Sequence, residues 1–223
     1  MTPTLAILIP VLDRPQRVEP LIESVNACTP EANLLFLCSP GDAAEIEAVK
    51  ASGANHVVVP WPCGPGDFAR KQNYGFAQTE EEWVFCGADD LVFHHGWFES
   101  CMATHHRSRA CVIGTVDKGN WRTVSGQHST HFLVHRDYLE CGTIDEPGKI
   151  FNESYDHQWT DDECVQTAMW RGTYAHAHTA IVEHQHPHWG TATMDQTYEK
   201  ATRATAQDQA LYESRKHLWG KVR

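Results

Sequence analysis

The chain has 223 residues, a formal net charge of −11 and eight tryptophans. That is enough chain for one substantial domain with an ordinary core, and its apolar content excludes a disordered polypeptide. The acidic balance disfavours non-specific binding to nucleic acid or to an anionic membrane through the whole surface. No segment approaches the ~18–20 apolar residues of a membrane span. Thr4 to Leu12 is apolar, but it is short and lacks the flanks of a signal peptide, so it reads as a first strand. The eight cysteines are scattered without a CxxC pair, which fits reduced thiols and a cytoplasmic location.

In chain order, Leu5-Ala6-Ile7-Leu8-Ile9 is a buried strand that stops at Pro10. After the turn at Asp13-Arg14-Pro15, Val18, Leu21, Ile22 and Val25 recur at helical spacing. Leu34 to Leu37 is a second strand. The turn Ser39-Pro40-Gly41-Asp42 leads into a helix near Ala43 to Ala51. Val57-Val58-Val59 is a third strand, and the Pro- and Gly-rich segment from Pro60 to Gly66 is a loop. A helix is expected over Phe68 to Thr79, followed by the strand Trp83-Val84-Phe85-Cys86. Strands alternating with helices predict an α/β fold with a Rossmann-like, mostly parallel central sheet flanked by helices. Beyond residue 92 the pattern loosens. Helices are expected at Trp97 to His106, Thr160 to Arg171 (closed by Gly172) and Asp208 to Trp219, with strands at Ala110 to Val116 and His131 to Val134.

Four constellations could carry chemistry. The fourth strand runs straight into Asp89-Asp90, at the kind of strand end where α/β proteins bind ligands. Adjacent carboxylates there repel and lose hydration unless a divalent cation or a sugar-phosphate ligand neutralises them; the bland alternative is a helix cap. Gly64-Pro65-Gly66 leads into a helix bearing Arg70 and Lys71, either an anion site or an ordinary loop with an exposed basic pair. Thr160-Asp161-Asp162-Glu163 opens a helix, where acids serve as caps or supply a general base. His184-Gln185-His186-Pro187-His188 offers imidazoles to a metal, although with 15 histidines in the chain most must be structural. Trp97, Trp121, Trp159 and Trp189 are candidate sugar platforms set against the plainer reading of core residues. The polar segment His128-Ser129-Thr130-His131 could line the same cleft.

These features, in this order, resemble the GT-A fold glycosyltransferases, and in particular family 2 of the nucleotide-sugar transferases. Leu5 to Pro15 looks like that family's opening strand and turn, Gly64 to Gly75 like its glycine-loop helix, with Asn73-Tyr74-Gly75 keeping the Asn-x-Gly part. Gly87-Ala88-Asp89-Asp90 resembles the Asp-x-Asp-Asp motif, Thr160 to Glu163 the base element, and Val182-Glu183-His184 the Val-x-His element. The resemblance implies donor contacts from Pro10, Val11, Leu12, Asp13, Ser39, Gly64, Arg70, Lys71, Asn73, Ala88 and Asp89. It implies Mn²⁺ or Mg²⁺ held by Asp89 with Asp90, His184 and His186. Counting back from Gly172, Asp161 takes the base position, with Asp162 as the alternative. The implied reaction is hexosyl transfer from a nucleotide-diphosphate sugar to an acceptor hydroxyl with inversion, the acceptor being a saccharide, a protein or a modified nucleic-acid base.

Three departures stand out. Gly87 replaces the first acid of the motif, Cys38 to Asp42 replaces an Asp-Asp-Gly-Ser run, and Gln72 stands where Arg often sits. A weaker likeness, carried by Phe93-His94-His95-Gly96-Trp97, is to a compact branch found in bacteriophages, which implies the host cytoplasm. The expected organisation is a single GT-A domain over 1–223, with a nucleotide-sugar half (1–92), an acceptor and base half (93–190) and a helical extension (191–223). Three other readings compete with this one. A metal hydrolase on His184 to His188 lacks i, i+4 spacing and is interrupted by Pro187. A nucleotidyltransferase generally has a glycine-rich first loop, which Pro10 to Pro15 lacks. A non-catalytic sugar- or nucleotide-binding module is the third.

Overall fold

Side-chain alternation in the first strand decides how the sheet is buried. In β1 (Leu5–Pro10), Leu5, Ile7 and Ile9 join the apolar cluster on one face, and Ala6 and Leu8 the cluster on the other. All five are buried, as expected for a strand covered on both sides. The computed structural model describes residues 3–220; positions 1–2 and 221–223, the ends of the expected domain and extension, lie outside the described residues.

The remaining elements follow as α1 (Val18–Cys28), β2 (Asn33–Cys38), α2 (Ala43–Ser52), β3 (Asn55–Val58), α3 (Asp67–Ala77), β4 (Trp83–Cys86), β5 (Leu91–Phe93), α4 (Trp97–Ser108), β6 (Val112–Val116), α5 (Trp121–Val124), β7 (Phe132–His135), α6 (Thr160–Trp170), β8 (Tyr174–His184) and α7 (Gln196–Arg215). The strands form one sheet in the order β3-β2-β1-β4-β7-β6-β8-β5. β1 to β4 pair in parallel, and β6 and β8 run the same way. β7 and β5 oppose them, so the sheet is mixed with a parallel majority. Apolar residues of α1, α2 and α4 pack on one face, and those of α3 and α6 on the other. Trp97 is fully buried on the first face, between Phe85 and Phe93, and is a core residue rather than a sugar platform.

Four elements differ from the sequence expectation. β5 follows directly on Asp90 and pairs antiparallel with β8. β8 spans Tyr174–His184, a long strand that was not among the expected ones. α5 is a single turn capped by the Asn120 side chain. α7 begins at Gln196 rather than at Asp208, because its buried side is made of Tyr198, Ala201, Ala204, Asp208 and Tyr212, too small or too polar to show an apolar stripe. Among the described residues no helix is long and apolar enough to cross a membrane. The eight cysteines are free thiols.

α7 is tied to the rest of the molecule by a buried acid. The Asp208 carboxylate, fully buried, accepts the backbone N–H groups of Asp156 (2.8 Å), His157 (2.9 Å) and Gln158 (2.7 Å). Asp208→Ala leaves three donors without an acceptor, at about 1–3 kcal/mol for each that stays buried. We expect a loss of at least about 3 kcal/mol, seen as a melting temperature lower by about 6 °C or more. Amide hydrogen exchange should quicken at 156–158; unchanged exchange there contradicts the role given to Asp208.

Candidate active site

The parallel strands deliver their carboxyl ends to one edge of the sheet, and a cleft of about 430 Å³ opens there. It is lined by Pro10, Val11 and Leu12 after β1, by Gly64 and Lys71 at α3, and by Ala88, Asp89 and Asp90 after β4. Asp161 at the start of α6 and His184 and His186 at the end of β8 complete the set of sequence candidates that reach it. Asp13, Ser39, Arg70, Asn73 and Asp162 are not among the lining residues. Thr130 and His131, of the polar segment expected to line the cleft, reach it, and Arg14, Thr197, Tyr198 and Lys200 line it without having been anticipated as site residues.

Arg14 takes the position opposite the paired acids. Its guanidinium donates to Asp89 Oδ1 at 3.0 Å and to Asp90 Oδ2 at 3.4 Å, and it forks onto Asp195 at 2.9 and 3.0 Å. It also lies 3.8 Å over the Tyr198 ring. Its backbone is held by two carboxylates at the start of α2: that of the N-cap residue Asp42 accepts the N–H of Asp13, which sits at φ 57, and that of Glu45 accepts the N–H of Arg14. Asp89, expected to bind the metal, is thus ion-paired with Arg14. Burial and the neighbouring Asp90 push the Asp89 carboxyl up to about 7, against the pull of Arg14.

Asp90 lies deeper. Burial works against its charge, but His184, His131 and Arg14 together hold it below the ordinary carboxylate range. Its Oδ2 accepts from the Tyr198 hydroxyl (2.8 Å) and faces His184 Nε2 (3.2 Å), whereas Oδ1 is buried with no hydrogen-bond partner. Ligand atoms of Asp90, His131 and His184 all lie within 4.8 Å of one another. An unpartnered carboxylate oxygen beside imidazole nitrogens is a donor set that fits a divalent cation. His186 faces the cleft but stands outside this cluster: its Nδ1 accepts the N–H of His188, and its ring packs on Tyr198.

Asp161 and Asp162 diverge although they are adjacent. Trp159, at φ 67, turns the chain into α6 and leaves both acids in its first turn. Asp162 is engaged by the Arg122 guanidinium of α5 and has His128 Nδ1 at 3.8 Å. Asp161 lines the cleft, and His128 Nε2 lies 3.2 Å from its Oδ2. Burial opposes ionisation of Asp161, yet the contact with His128 keeps its carboxyl below the ordinary range. Burial and the charge of Asp161 push Asp162 up.

The glycine loop is docked against protein. The Gly66 N–H donates to the Asp156 carbonyl at 2.8 Å, and at φ 73 a β-carbon there would stand 2.6 Å from the Glu153 carbonyl oxygen, so only glycine fits. Asp67 already supplies an anion to the start of α3 and pairs with the buried Lys71 ammonium at 3.0 Å. Lys71 also donates to the Val11 carbonyl at 2.8 Å, so this cation fixes the loop after β1. Arg70 is partly exposed, 5.5 Å above the Trp61 ring. Ser39 is buried beside Asp67. Asn73 holds the 150–153 segment by accepting two N–H groups and donating to Phe151 and Glu153. At Gly87 a β-carbon would meet Ile9 Cδ1 at 2.8 Å, so the chain has no room for an acid there without a shift of Ile9. Gln72, in place of Arg, donates to the Gly87 carbonyl at 2.8 Å. Of the remaining tryptophans, Trp121 is exposed, Trp159 packs on Tyr212 and Trp189 covers Gly119.

A mixed sheet with this cleft at its carboxyl edge is the fold of the GT-A glycosyltransferases. The chain belongs to glycosyl transferase family 2, whose model matches residues 6–174. No curated protein matches it in sequence. Among solved structures it is similar to a mannosyltransferase from Pyrobaculum calidifontis in complex with GDP-Man and Mn²⁺, with a TM-score of 0.71 at 11% identity. That match covers 96% of this chain and 64% of the mannosyltransferase, so the chain spans less than two thirds of that protein's length. It is also similar to glucosyl-3-phosphoglycerate synthase from Mycobacterium tuberculosis in complex with Mn²⁺, UDP-Glc and glycerol 3-phosphate, with a TM-score of 0.63 at 16% identity over 96% of this chain and 80% of that one. A structure of the same synthase with Mg²⁺ and UDP gives a TM-score of 0.64 at 16% identity, covering 96% and 79%.

Proposed function

We propose that the chain transfers a sugar from a nucleotide-diphosphate donor to an acceptor hydroxyl, with a divalent metal and with inversion at the anomeric carbon. The observation that carries this reading is a single cleft lined both by Asp90 and His184 and by Asp161. Asp90 and His184 would hold Mn²⁺ or Mg²⁺, which when bound supplies a Lewis acid for the negative charge of the departing diphosphate.

Asp161 is the general base. It is ionised at neutral pH, faces the cleft and is oriented by His128, while Asp162 is occupied by Arg122. Its carboxylate takes the proton of the acceptor hydroxyl as that oxygen attacks. Pro10, Val11, Leu12, Gly64 and Ala88 form the donor's walls, and Lys71 fixes Val11 from behind. Arg14 and Asp89 set the charge beside the diphosphate. Ser39 and Asn73 act indirectly, through Asp67 and the 150–153 segment.

The reading is tested with a panel of UDP-, GDP-, ADP- and dTDP-sugars, each with and without Mn²⁺, followed by thermal shift and by donor hydrolysis. At least one donor should stabilise the protein in the presence of Mn²⁺ and be hydrolysed slowly. If no donor binds with metal present, the transferase reading is wrong.

A pH dependence of metal binding follows from His184. Burial lowers its affinity for a proton, but Asp90 outweighs that and holds the imidazolium above its ordinary range. A metal must displace this proton, so Mn²⁺ affinity is full above the raised value and falls as pH drops through it, by about tenfold per unit for one proton released. Isothermal titration between pH 6 and 8 should show weaker binding at the lower pH, with proton release visible as a buffer-dependent enthalpy. A flat profile contradicts the assignment of His184.

A further inference from the structure

β7 brings a histidine to the metal cluster that the pattern of family motifs does not include. It runs antiparallel to β4 with Phe132 opposite Cys86, so His131, one residue earlier, stands level with the strand end that carries Asp89 and Asp90. The side chain is 5% exposed. Its Nδ1 lies 3.2 Å from the Cys86 carbonyl oxygen. A carbonyl only accepts, so this hydrogen bond places the ring proton on Nδ1 and leaves a lone pair on Nε2. Nε2 is buried and has no hydrogen-bond partner. Burying such an acceptor unpaired is costly, and nothing among the described residues compensates it.

The surroundings say what it is for. The His131 ring stands 5.2 Å from that of His184, nearly perpendicular to it at 86°. Asp90 Oδ1 is a second buried atom without a partner in the same cluster. A buried histidine that gives one ring N–H to a backbone carbonyl, keeps its other nitrogen bare and clusters with a carboxylate and another imidazole has the makings of an oriented metal ligand.

We propose that His131 is a third protein ligand, completing a set of two imidazoles and one carboxylate, and that this set makes the site selective for Mn²⁺ and other borderline transition metals over Mg²⁺. Mg²⁺ prefers oxygen ligands and retains its waters, whereas imidazole favours first-row transition metals. The remaining coordination positions are open to water or to donor oxygens. The proposal deepens the metal-dependent reading above by assigning both a ligand and a metal preference.

The test is direct metal binding to the whole chain, without donor or acceptor. Wild type should bind Mn²⁺ and Co²⁺ at least tenfold more tightly than Mg²⁺ by isothermal titration. His131→Ala should weaken Mn²⁺ and Co²⁺ by about 100-fold, the top of the range seen when even the outer partners of metal ligands are removed. It should change Mg²⁺ binding less than threefold. A variant with native circular dichroism and unchanged Co²⁺ affinity overturns the proposal. So that the test does not depend on the variant folding, Co²⁺-loaded wild type is also examined by proton NMR. Two hyperfine-shifted imidazole N–H signals are expected, one of them, from His131, exchanging slowly because Cys86 accepts it. Absence of the slowly exchanging signal overturns the proposal. Donor binding is scored separately. Two-histidine Co²⁺ binding without affinity for any nucleotide sugar removes the transferase reading and supports the ligand set. Donor turnover equally fast with Mg²⁺ and unchanged in His131→Ala removes the ligand set and supports the transferase reading.

Discussion

Asp161→Asn is expected to lower kcat by about 10³-fold, within the range that a positioned general base contributes. The substitution keeps shape and polarity and removes the proton acceptor, so the donor KM and the Mn²⁺ affinity should stay within about threefold of wild type, as for an interaction made only in the transition state. Asp162→Asn should cost less than about tenfold, because that carboxylate is turned to Arg122 and its loss reaches the cleft only through α5 and His128. The pH profile gives a further check. Burial raises the Asp161 carboxyl but the contact with His128 lowers it more, so it loses its charge at a lower pH than an ordinary aspartate. At saturating metal, the wild-type acid limb should therefore be displaced to lower pH. Equal losses in the two asparagine variants would mean that the two acids act as a unit and that the assignment of Asp161 alone is wrong.

The second large effect is on stability. Arg14→Met removes the guanidinium from between Asp89, Asp90 and Asp195 and leaves two buried carboxylates facing each other. Breaking one side of a buried ion pair costs about 3–5 kcal/mol, because the remaining charge is uncompensated. For a chain of this size that corresponds to a melting temperature lower by about 6–20 °C. The sign of the pH dependence follows from Asp89, whose carboxyl burial and Asp90 already raise to about 7 in the folded protein. Without Arg14 it rises further, so over the window between its unfolded and folded values the folded state binds more protons. Stability of the variant should then increase as pH falls from about 8 towards 5, narrowing the deficit. Mn²⁺ should restore more of the melting temperature in Arg14→Met than in wild type, since an ion bound only by the folded state then neutralises the pair. Arg14→Lys keeps the charge but loses the fork onto Asp195 and should fall between the two. A methionine variant as stable as wild type at pH 8 would show that the pair does not depend on Arg14.

The first half of the fold was legible because each of its elements carries its own local signal. Leu5 to Ile9 alternates into two cores, Val18, Leu21 and Val25 form one buried face, and Asp42 caps α2. Asp89-Asp90 and Asp161 were legible as residues of the cleft for the same reason: each lies just past a strand or at the start of a helix that the local pattern predicts. What stayed hidden depends on contacts between distant parts of the chain. Arg14 meets its partners Asp195 and Tyr198 across most of the sequence, on a helix whose first half shows no apolar stripe. His131 sat in a polar segment noted only as cleft lining. Its role depends on β7 pairing antiparallel with β4, which no local signal announces. Lys71 and the glycine loop, by contrast, read equally well as an anion site or as an ordinary loop, and in the structure they engage Val11, Asp67 and Asp156. A partner within the protein and a partner in solution leave the same mark on a sequence.

In the proposed inverting reaction Asp161 takes the acceptor's proton on one side of the sugar, and the metal at Asp90 and His184 takes the charge of the diphosphate leaving from the other. This is tested most directly by proton NMR of the first sugar released when an α-linked donor from the panel is hydrolysed with water as acceptor. The geometry proposed here predicts the β anomer before mutarotation sets in. Release of the α anomer as the first product would contradict it.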